Sequence, residues 1–346
     1  MNDFWKKIME TDLPVVMYGT GNAADRLITL LGERGVRISG VFVSDEFVRS
    51  RTFHSFRTLS YSRAKEIFGR MAVVMGFGTH DEKVIGKIKT IAAENEFYCP
   101  CLLSDENGQP FDSEYYLSHK SDFDYFRNAL TDSKSREVFD SIVSFRLSGD
   151  ISFLLPVEEE TEESWRNLSI SDDETFVDIG AYDGDTIERF ITLTKGKYRE
   201  IIGFEPDLRS FRKAQRRLEG RERITLCNEL LSDKEESVAF SEGEGRGNTR
   251  SLSGKERRTV TLDSMLEGKR PTLLKFDAEG DEEKILEGGR RIIVEAGPKL
   301  ILSVYHRIDD FWVLLRKIRE LHPAYSKFTL RTAFSLPDWD IILLVE

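Results

Sequence analysis

Two carboxylates and two glycines near the middle of the chain have the types and spacing of a ligand-binding turn. Asp178 belongs to an apolar segment, Thr175–Ile179, with the composition of a strand. The turn after it runs through Gly180, Ala181, Tyr182, Asp183 and Gly184, and a helix that includes Thr186 follows. Glycine lets a ligand approach the backbone closely, and the first amides of a helix are unpaired donors. The pattern predicts a nucleoside-binding loop.

A second acidic signal lies at the end of the next apolar segment. Residues 201–204 have the composition of a strand, and Glu205 and Pro206 follow it directly. A carboxylate at the carboxyl end of such a strand is placed to accept both hydroxyls of a ribose. The two signals together indicate a cofactor that contains adenosine. A salt bridge between Glu205 and a neighbouring arginine is the alternative.

Composition limits the class of protein and its partners. The chain has 346 residues, of which 40% are hydrophobic, and this is enough for two cores. A formal net charge of −11 opposes non-specific binding to nucleic acid or to an anionic membrane, so we expect neither as a partner. Three cysteines favour a reducing compartment. With no signal peptide and no apolar run of about 20 residues, the sequence predicts a cytoplasmic protein.

Alternating strand and helix patterns predict a smaller N-terminal Rossmann-like α/β domain over residues 1–115. Its first strand ends at a G-x-G-x-x-A turn, Gly19 to Ala24. This turn is typical of a nucleotide or nucleotide-sugar site with Asp45 near the ribose, and equally of tight packing between strand and helix. Residues 116–170 are predicted to be a helical connector, with Asp132 or Ser133 as a helix cap.

A second strand series predicts an α/β domain over residues 171–346 with a seven-stranded sheet. The predicted strands are Thr175–Ile179, 201–204, 223–227, 272–276, 300–304, 328–331 and 341–345. The last two lack a helix between them, so we expect an antiparallel hairpin at one edge of an otherwise parallel sheet. A glycine-rich segment, 243–251, suits a loop that closes over substrate, and plain flexibility is the equal alternative.

Several short motifs in this second domain keep one order. They are Val177–Ala181, Phe204–Pro206, Thr261–Asp263, Lys275–Gly280 and Ile285–Gly289. Over about residues 130–346 the chain resembles the FkbM family of class I S-adenosylmethionine-dependent methyltransferases. The resemblance implies S-adenosylmethionine as cofactor and methyl transfer, usually to an oxygen of a sugar, polyketide or other hydroxylated metabolite. The chain departs from the general class at Tyr182, where a third glycine is usual, and the path of the loop there stays open.

The resemblance also implies roles for particular residues. Asp178 would order the first loop and bind the cationic amino group of the methionine moiety, with an aspartate that caps the following turn as the alternative. Three polar residues after the third strand would contact adenine, with turn formation as the alternative: Asn228, Ser232 and Asp233. Asp277 and Glu279 would face the place where donor and acceptor meet. Lys275 should share the strand face of Asp277, which a buried ion pair would equally explain.

Methyl transfer from a sulfonium requires alignment of the acceptor and removal of its proton. His306, at the end of the fifth strand, is the histidine best placed as a base, with Asp277 as rival or orienting partner. A purely structural histidine is the alternative. Asp277, Glu279, Asp281 and His306 lack a specific metal-ligand spacing, so we expect no metal.

Two other classes of function remain open at this stage. The N-terminal glycine turn would suit a nicotinamide-dependent oxidoreductase, and a degenerate site would suit a non-catalytic scaffold in a polysaccharide or natural-product pathway. The retention of both glycines and both strand-end acids argues against the scaffold. The sequence therefore favours a methyltransferase that acts on a small, hydroxylated, sugar-like molecule, and it leaves homo-oligomerisation open.

Overall fold

The computed structural model describes residues 3–48, 52–240 and 255–346. The glycine-rich segment 243–251 lies outside these residues. The chain forms two compact units, both discontinuous in sequence. Unit 1 comprises the residues up to Ser121 together with Glu137–Glu158 and Thr332–Asp340, and unit 2 comprises Asp122–Arg136, Glu159–Arg331 and Ile341–Glu346. The linear domain boundaries near 115 and 170 stay a prediction.

Unit 1 contains the parallel α/β sheet that the sequence predicts for the N-terminal part. Its strands are β1 Val15–Tyr18, β2 Ile38–Val43, β3 Thr52–Phe53, β4 Phe56–Arg57, β5 Leu59–Ser60, β6 Ala72–Met75 and β7 Glu96–Tyr98. Five of them form a parallel sheet in the order β5-β2-β1-β6-β7, whereas β3 and β4 pair separately as an antiparallel ribbon. β1 and β6 are buried along their whole length, as expected for central strands covered on both faces.

Five helices of unit 1 lie in the N-terminal part of the chain. They are α1 Phe4–Glu10, α2 Asn22–Glu33, α3 Tyr61–Phe68, α4 Glu82–Glu94 and α5 Ser113–Ser118, with a 3₁₀ turn at Asp45–Phe47. In α2 the buried residues are Ala24, Leu27 and Leu31, at i, i+3 and i+7, which is the period of one helix face. They share a core with Met17 and Val41 of the sheet.

Helices follow where the sequence predicts a connector. They are α6 Lys120–Ala129, α7 Ser133–Ser148 and α8 Thr161–Trp165, with a 3₁₀ turn at Ile151–Phe153. Asp132 caps α7, because its Oδ1 accepts the amide of Ser135 at 2.8 Å, and this confirms the predicted start. Within unit 1, Arg146 of α7 donates from Nε to Asp338 Oδ2 at 2.5 Å, and both side chains are buried.

Unit 2 contains the predicted seven-stranded sheet. Its strands are β8 Thr175–Ile179, β9 Glu200–Phe204, β10 Ile224–Cys227, β14 Leu273–Phe276, β15 Lys299–Ser303, β16 Phe328–Thr332 and β17 Ile341–Val345, in the order β10-β9-β8-β14-β15-β17-β16. The pairs from β10 to β15 are parallel, and β17 is antiparallel to β15. The predicted antiparallel hairpin at one edge is thus confirmed.

A second, smaller sheet in unit 2 was not predicted. It consists of β11 Leu230–Ser232, β12 Ser237–Phe240 and β13 Lys255–Thr261, in the order β11-β13-β12. β11 lies within residues 228–233, the segment that follows the predicted third strand. The helices around the two sheets are α9 Asp185–Leu193, α10 Leu208–Arg217, α11 Leu262–Met265, α12 Glu282–Gly288, α13 Arg290–Ala296 and α14 Asp310–Leu321. Within the described ranges, no helix has the length and apolar character of a membrane span.

Candidate functional site

The loops that follow β8, β9, β14 and β15 lie at the carboxyl edge of the seven-stranded sheet. β8 pairs with β9 on one side and with β14 on the other, so the strand order reverses direction between β8 and β14. Ligands bind in parallel α/β sheets at such a switch point, outside the carboxyl ends of the strands. Most of the predicted site residues of unit 2 lie on these loops. The exceptions are Asp178 in β8, Lys275 in β14, Thr186 in α9 and the three residues that follow β10.

Gly180 allows the loops after β8 and β14 to touch. Its φ of +81° lies in the left-handed region, and a Cβ at this position would fall 1.9 Å from the carbonyl oxygen of Asp277. The amides of Gly180 and Ala181 both donate to the carbonyl of Phe204 at 2.9 Å. The turn is therefore held against the ends of both neighbouring strands, and only glycine fits at its first position.

The rest of this turn shows how Tyr182 is accommodated. Tyr182 has a φ of +45°, and its amide donates to Glu205 Oε2 at 2.8 Å. Gly184, with a φ of +86°, caps α9 at the N-terminus. Asp183 accepts from Arg217 at 2.8 Å, an ion pair that anchors the turn to α10, and Thr186 is buried in the first turn of α9. The structure thus brings the predicted loop residues together in one turn.

Glu205 is a buried carboxylate with two backbone donors. It is 8% exposed, and its Oε1 accepts the amide of Asp207 at 2.7 Å in addition to the contact with Tyr182. Burial raises the pKa of Glu205 to about 7, and the two amides oppose this shift. These two hydrogen bonds come from backbone amides, and not from an arginine, which was the alternative partner. Each oxygen keeps a lone pair for a further donor.

The three candidates after β10 have different environments. Asn228 donates from Nδ2 to the carbonyls of Glu205 and Pro206 at 2.8 and 3.0 Å, so it braces the strand end that carries Glu205. Ser232 is fully buried at the end of β11 and donates to Asp233 Oδ1 at 2.9 Å. These contacts fit the structural alternative for Ser232 and Asp233, and adenine contact stays a prediction.

A buried lysine links the two acids of the adjacent strands β8 and β14. Lys275 Nζ lies 3.3 Å from Asp178 Oδ1 and 3.3 Å from Asp277 Oδ2. Burial raises the pKa of Asp178 to about 6 even though Lys275 opposes the shift. Burial also acts against ionisation of Lys275 and Asp277. The charges of Asp178 and Asp277 nevertheless raise the pKa of the lysine, and the charge of Lys275 lowers the pKa of Asp277. Lys275 and Asp277 share one side of β14, as predicted.

His306 lies among three carboxylates. Its Nε2 is 3.5 Å from Asp277 Oδ1 and 3.8 Å from Glu279 Oε2, and its Nδ1 is 2.9 Å from Glu282 Oε1. Burial disfavours the charged ring, yet these carboxylates outweigh burial and raise the pKa of His306 to about 10. These carboxylates therefore favour the imidazolium form of His306, which has no lone pair with which to act as a base. Glu282 was not among the predicted site residues.

No metal is needed to explain this acidic cluster. Within the described ranges, no group of three or more His, Cys, Asp and Glu side chains is arranged to hold a metal ion. Asp281, which the sequence analysis considered as a ligand, pairs with Lys284 at 3.0 Å.

The glycine turn of unit 1, Gly19 to Ala24, makes close contacts of the kind expected if it serves tight packing between strand and helix. Gly19 has a φ of +111°, and a Cβ there would lie 2.8 Å from the ring of Phe77. A Cβ on Gly76 would lie 2.6 Å from that of Ala24 in α2. Asp45 accepts from the hydroxyl of Ser62 at 2.6 Å. A nucleotide at this turn stays a prediction.

The chain is similar to known methyltransferases. A methyltransferase FkbM from Methylobacillus flagellatus KT is 22% identical and aligns over 96% of this chain and 89% of its own, with a TM-score of 0.74, which shows a shared fold. Two other structures are more distant. A putative rRNA methylase from Clostridium thermocellum is 11% identical over 54% of this chain and 91% of its own, with a TM-score of 0.34. An rRNA methylase from Streptococcus thermophilus is 16% identical over 54% of this chain and 93% of its own, with a TM-score of 0.35. No curated protein matches the chain.

The family comparison covers the site itself. The model of the methyltransferase FkbM domain matches residues 178–327, a range that begins at Asp178 and includes Glu205, Asp277 and His306. The family resemblance drawn from the motifs is thereby confirmed for this part of the chain. Residues 178–327 form a domain of the FkbM methyltransferase family.

Proposed function

We propose that unit 2 uses S-adenosylmethionine to methylate a hydroxyl group of a small sugar-like acceptor, such as a sugar, a nucleotide sugar or a glycosylated natural product. The observation that carries the proposal is the pair of buried carboxylates, Asp178 and Glu205, at the carboxyl ends of the adjacent strands β8 and β9. The family match over residues 178–327 supports methyl transfer as the class of reaction.

The residues present fit the donor at both ends. Asp178 is fully buried, and its Oδ2 has no hydrogen-bond partner among the described residues, so a cationic amino group would satisfy a carboxylate oxygen that is otherwise left unpaired. Glu205, 27 residues later, keeps lone pairs for two ribose hydroxyls. When bound, the donor supplies an electrophilic methyl group on a sulfonium.

The acceptor side of the site is polar and acidic. Asp277, with its side chain 29% exposed, and Glu279 provide hydrogen-bond acceptors of the kind that bind hydroxyl groups of a polyol. Tyr305 donates from its hydroxyl to Asp277 Oδ1 at 3.3 Å and fixes that carboxylate. Lys275 and His306 balance part of the negative charge. The group that receives the acceptor's proton belongs to this cluster.

Calorimetry with S-adenosylhomocysteine tests the donor site. We expect Asp178→Asn and Glu205→Gln each to weaken binding by about 1.5 to 3 kcal/mol, because each removes a charge-assisted hydrogen bond. Asp172→Asn, which breaks an exposed ion pair with Lys197, serves as a control that should leave affinity unchanged. Equal affinity in all four proteins would refute the assignment of these two carboxylates.

A labelled-methyl screen tests the acceptor class. Purified protein would be incubated with S-adenosylmethionine that carries a labelled methyl group and with separate pools of sugars, nucleotide sugars and glycosylated metabolites. We expect base-stable label in one of these pools, since a methyl ether survives mild alkali whereas a methyl ester does not. Label confined to base-labile products or to nitrogen would contradict oxygen methylation of a hydroxyl.

A further inference from the structure

We infer that Glu282 is a positioning residue that holds His306 as an imidazolium, so that Asp277, and not His306, receives the proton of the acceptor hydroxyl. The inference rests on the proposed function, because it assigns the proton in that reaction. It changes the role predicted for His306 from base to hydrogen-bond donor. The geometry that carries it lies on α12 and on the ends of β14 and β15.

Glu282 is held in place by two contacts, one to a backbone amide and one to the ring of His306. It is 1% exposed in the first turn of α12, and its Oε1 accepts the amide of Ala278 at 2.7 Å while contacting His306 Nδ1 at 2.9 Å. Its Oε2 has no hydrogen-bond partner within the described part of the chain. A buried carboxylate requires a counter-charge, and the imidazole is the group in contact. Nδ1 must therefore carry a hydrogen.

The other ring nitrogen also faces acids. Nε2 lies 3.5 and 3.8 Å from carboxylate oxygens of Asp277 and Glu279. Since neutral imidazole carries a hydrogen on only one nitrogen, the doubly protonated ring alone can donate to carboxylates on both sides. The pKa of about 10 for His306, which the surrounding carboxylates raise against the effect of burial, agrees with this geometry.

The remaining charged groups around the ring do not reverse this conclusion. Asp310 of α14 is buried and accepts the amide of Arg307 at 2.7 Å, and burial followed by the charge of Glu282 raises its pKa to about 7. Arg307 is turned to the carbonyl of Gly280 at 2.6 Å. Lys275 approaches Asp277 from the side of β8. Asp310 adds negative charge as it ionises, and this further favours the imidazolium.

The proton balance of the reaction is then simple. The acceptor oxygen forms a bond to the methyl carbon as the carbon–sulfur bond breaks, and the electron pair of that bond stays on sulfur as a thioether. The hydroxyl proton becomes strongly acidic as the new bond forms, so a weak base is enough to remove it. The hydroxyl proton passes to the carboxylate of Asp277, which Lys275 and His306 keep ionised, and from there to solvent.

Histidine NMR on the full-length protein tests the inference. The chain contains five histidines, and the ring labelled at Cε1 gives one signal for each, with His306→Gln identifying the signal of His306. We expect this signal to stay in the imidazolium form from about pH 6 to 8.5 in the wild type. Glu282→Gln keeps the shape but removes the charge, and the pKa of His306 should then fall by about 1 to 3. Glu283→Gln, at an exposed position beside it, should change nothing.

The outcomes separate this inference from the proposed function. A wild-type His306 that titrates near 6.5, or that keeps its pKa in Glu282→Gln, overturns the inference whether or not the donor binds. S-adenosylhomocysteine should bind the wild type and Glu282→Gln with affinities within about twofold, because Glu282 is not placed at the donor. Failure of all variants to bind it defeats the proposed function, yet leaves the titration readable. If Glu282→Gln does not fold, the wild-type titration decides alone.

Discussion

Replacement of Gly180 by alanine should damage both the stability of unit 2 and its donor site. The backbone at Gly180 has a φ of +81°, and the added Cβ would lie 1.9 Å from the carbonyl oxygen and 2.9 Å from the carbonyl carbon of Asp277. Ordinary van der Waals contact begins at 3.4 Å. Because the clash is with backbone and not with a flexible side chain, one of the two loops must move by more than an ångström.

The magnitude is the sum of two effects. A non-glycine residue in the left-handed region costs about 1 to 2 kcal/mol. Forcing an extra methyl group into a packed region typically costs about 1 to 3 kcal/mol. We therefore expect Gly180→Ala to lower the free energy of unfolding by about 2 to 5 kcal/mol, a large part of the stability of a typical domain.

Two other glycines of unit 2 provide matched controls. Gly196 has a φ of +75° with nothing within 4 Å of a Cβ, so Gly196→Ala should show the backbone strain alone, about 1 to 2 kcal/mol. Gly184, with a φ of +86°, has its nearest contact at 3.1 Å with the flexible end of Leu218 and should behave similarly. Urea unfolding of the three variants, with S-adenosylhomocysteine binding measured in parallel, gives the comparison. Equal losses at Gly180 and Gly196 would refute the close approach of the two loops.

Four further predictions concern charged groups. Donor affinity should rise up to about tenfold per pH unit towards pH 7 and level off above it, since ribose hydroxyls favour the ionised form of Glu205. Calorimetry with S-adenosylhomocysteine from pH 5.5 to 8.5 measures this dependence, and an affinity that does not change with pH would contradict it. Without donor, the raised pKa of Glu205 contributes stability at acidic pH that is lost as the pH rises from about 4.5 to 7. The free energy of unfolding of the wild type should therefore fall over this range, and Glu205→Gln should remove this decrease. Lys275→Met removes the cationic partner of the fully buried Asp178 and one of two cationic neighbours of Asp277. It should cost about 3 to 5 kcal/mol in urea unfolding at pH 7, with a smaller loss at pH 4; an equal loss at both values would show that charge is not the cause. Arg146→Met should destabilise unit 1 by a similar amount through its buried partner Asp338, and unchanged unfolding in urea would contradict a stabilising role for this buried pair.

The main strands were predictable because burial leaves a direct mark on sequence. Strands covered on both faces are continuous apolar runs, and β8 and β14 are buried throughout. The small sheet lacked such a mark. β11 has three residues, and the charged, exposed start of β13 has the composition of a loop. The assignment of residues 332–340 to unit 1 depends on contacts far apart in sequence, and local patterns do not contain them.

The residues of the site also include some that the sequence predicted and one that it did not. The positions of Asp178, Glu205 and Asp277 followed from the rule that strand ends meet at one edge of a sheet. Glu282 was missed because it lies in an acidic helix start, a pattern typical of exposed first turns. A signal was nevertheless present. Glu282 stands three and four residues before the buried Ile285 and Leu286, which places it on the apolar face of α12.

The balance of charge at the carboxyl edge gives a physical reason for a cationic ligand there. Acidic side chains outnumber cationic ones at the carboxyl ends of β8, β9, β14 and β15, with Asp178, Glu205, Asp277 and Glu279 against Lys275 and His306. In a buried site this excess favours a positively charged molecule over a neutral one of the same shape. In the proposed reaction the sulfonium loses its charge when the methyl group leaves. The acids that favour the donor would therefore release the thioether product more readily, so one arrangement of carboxylates would serve both binding and turnover.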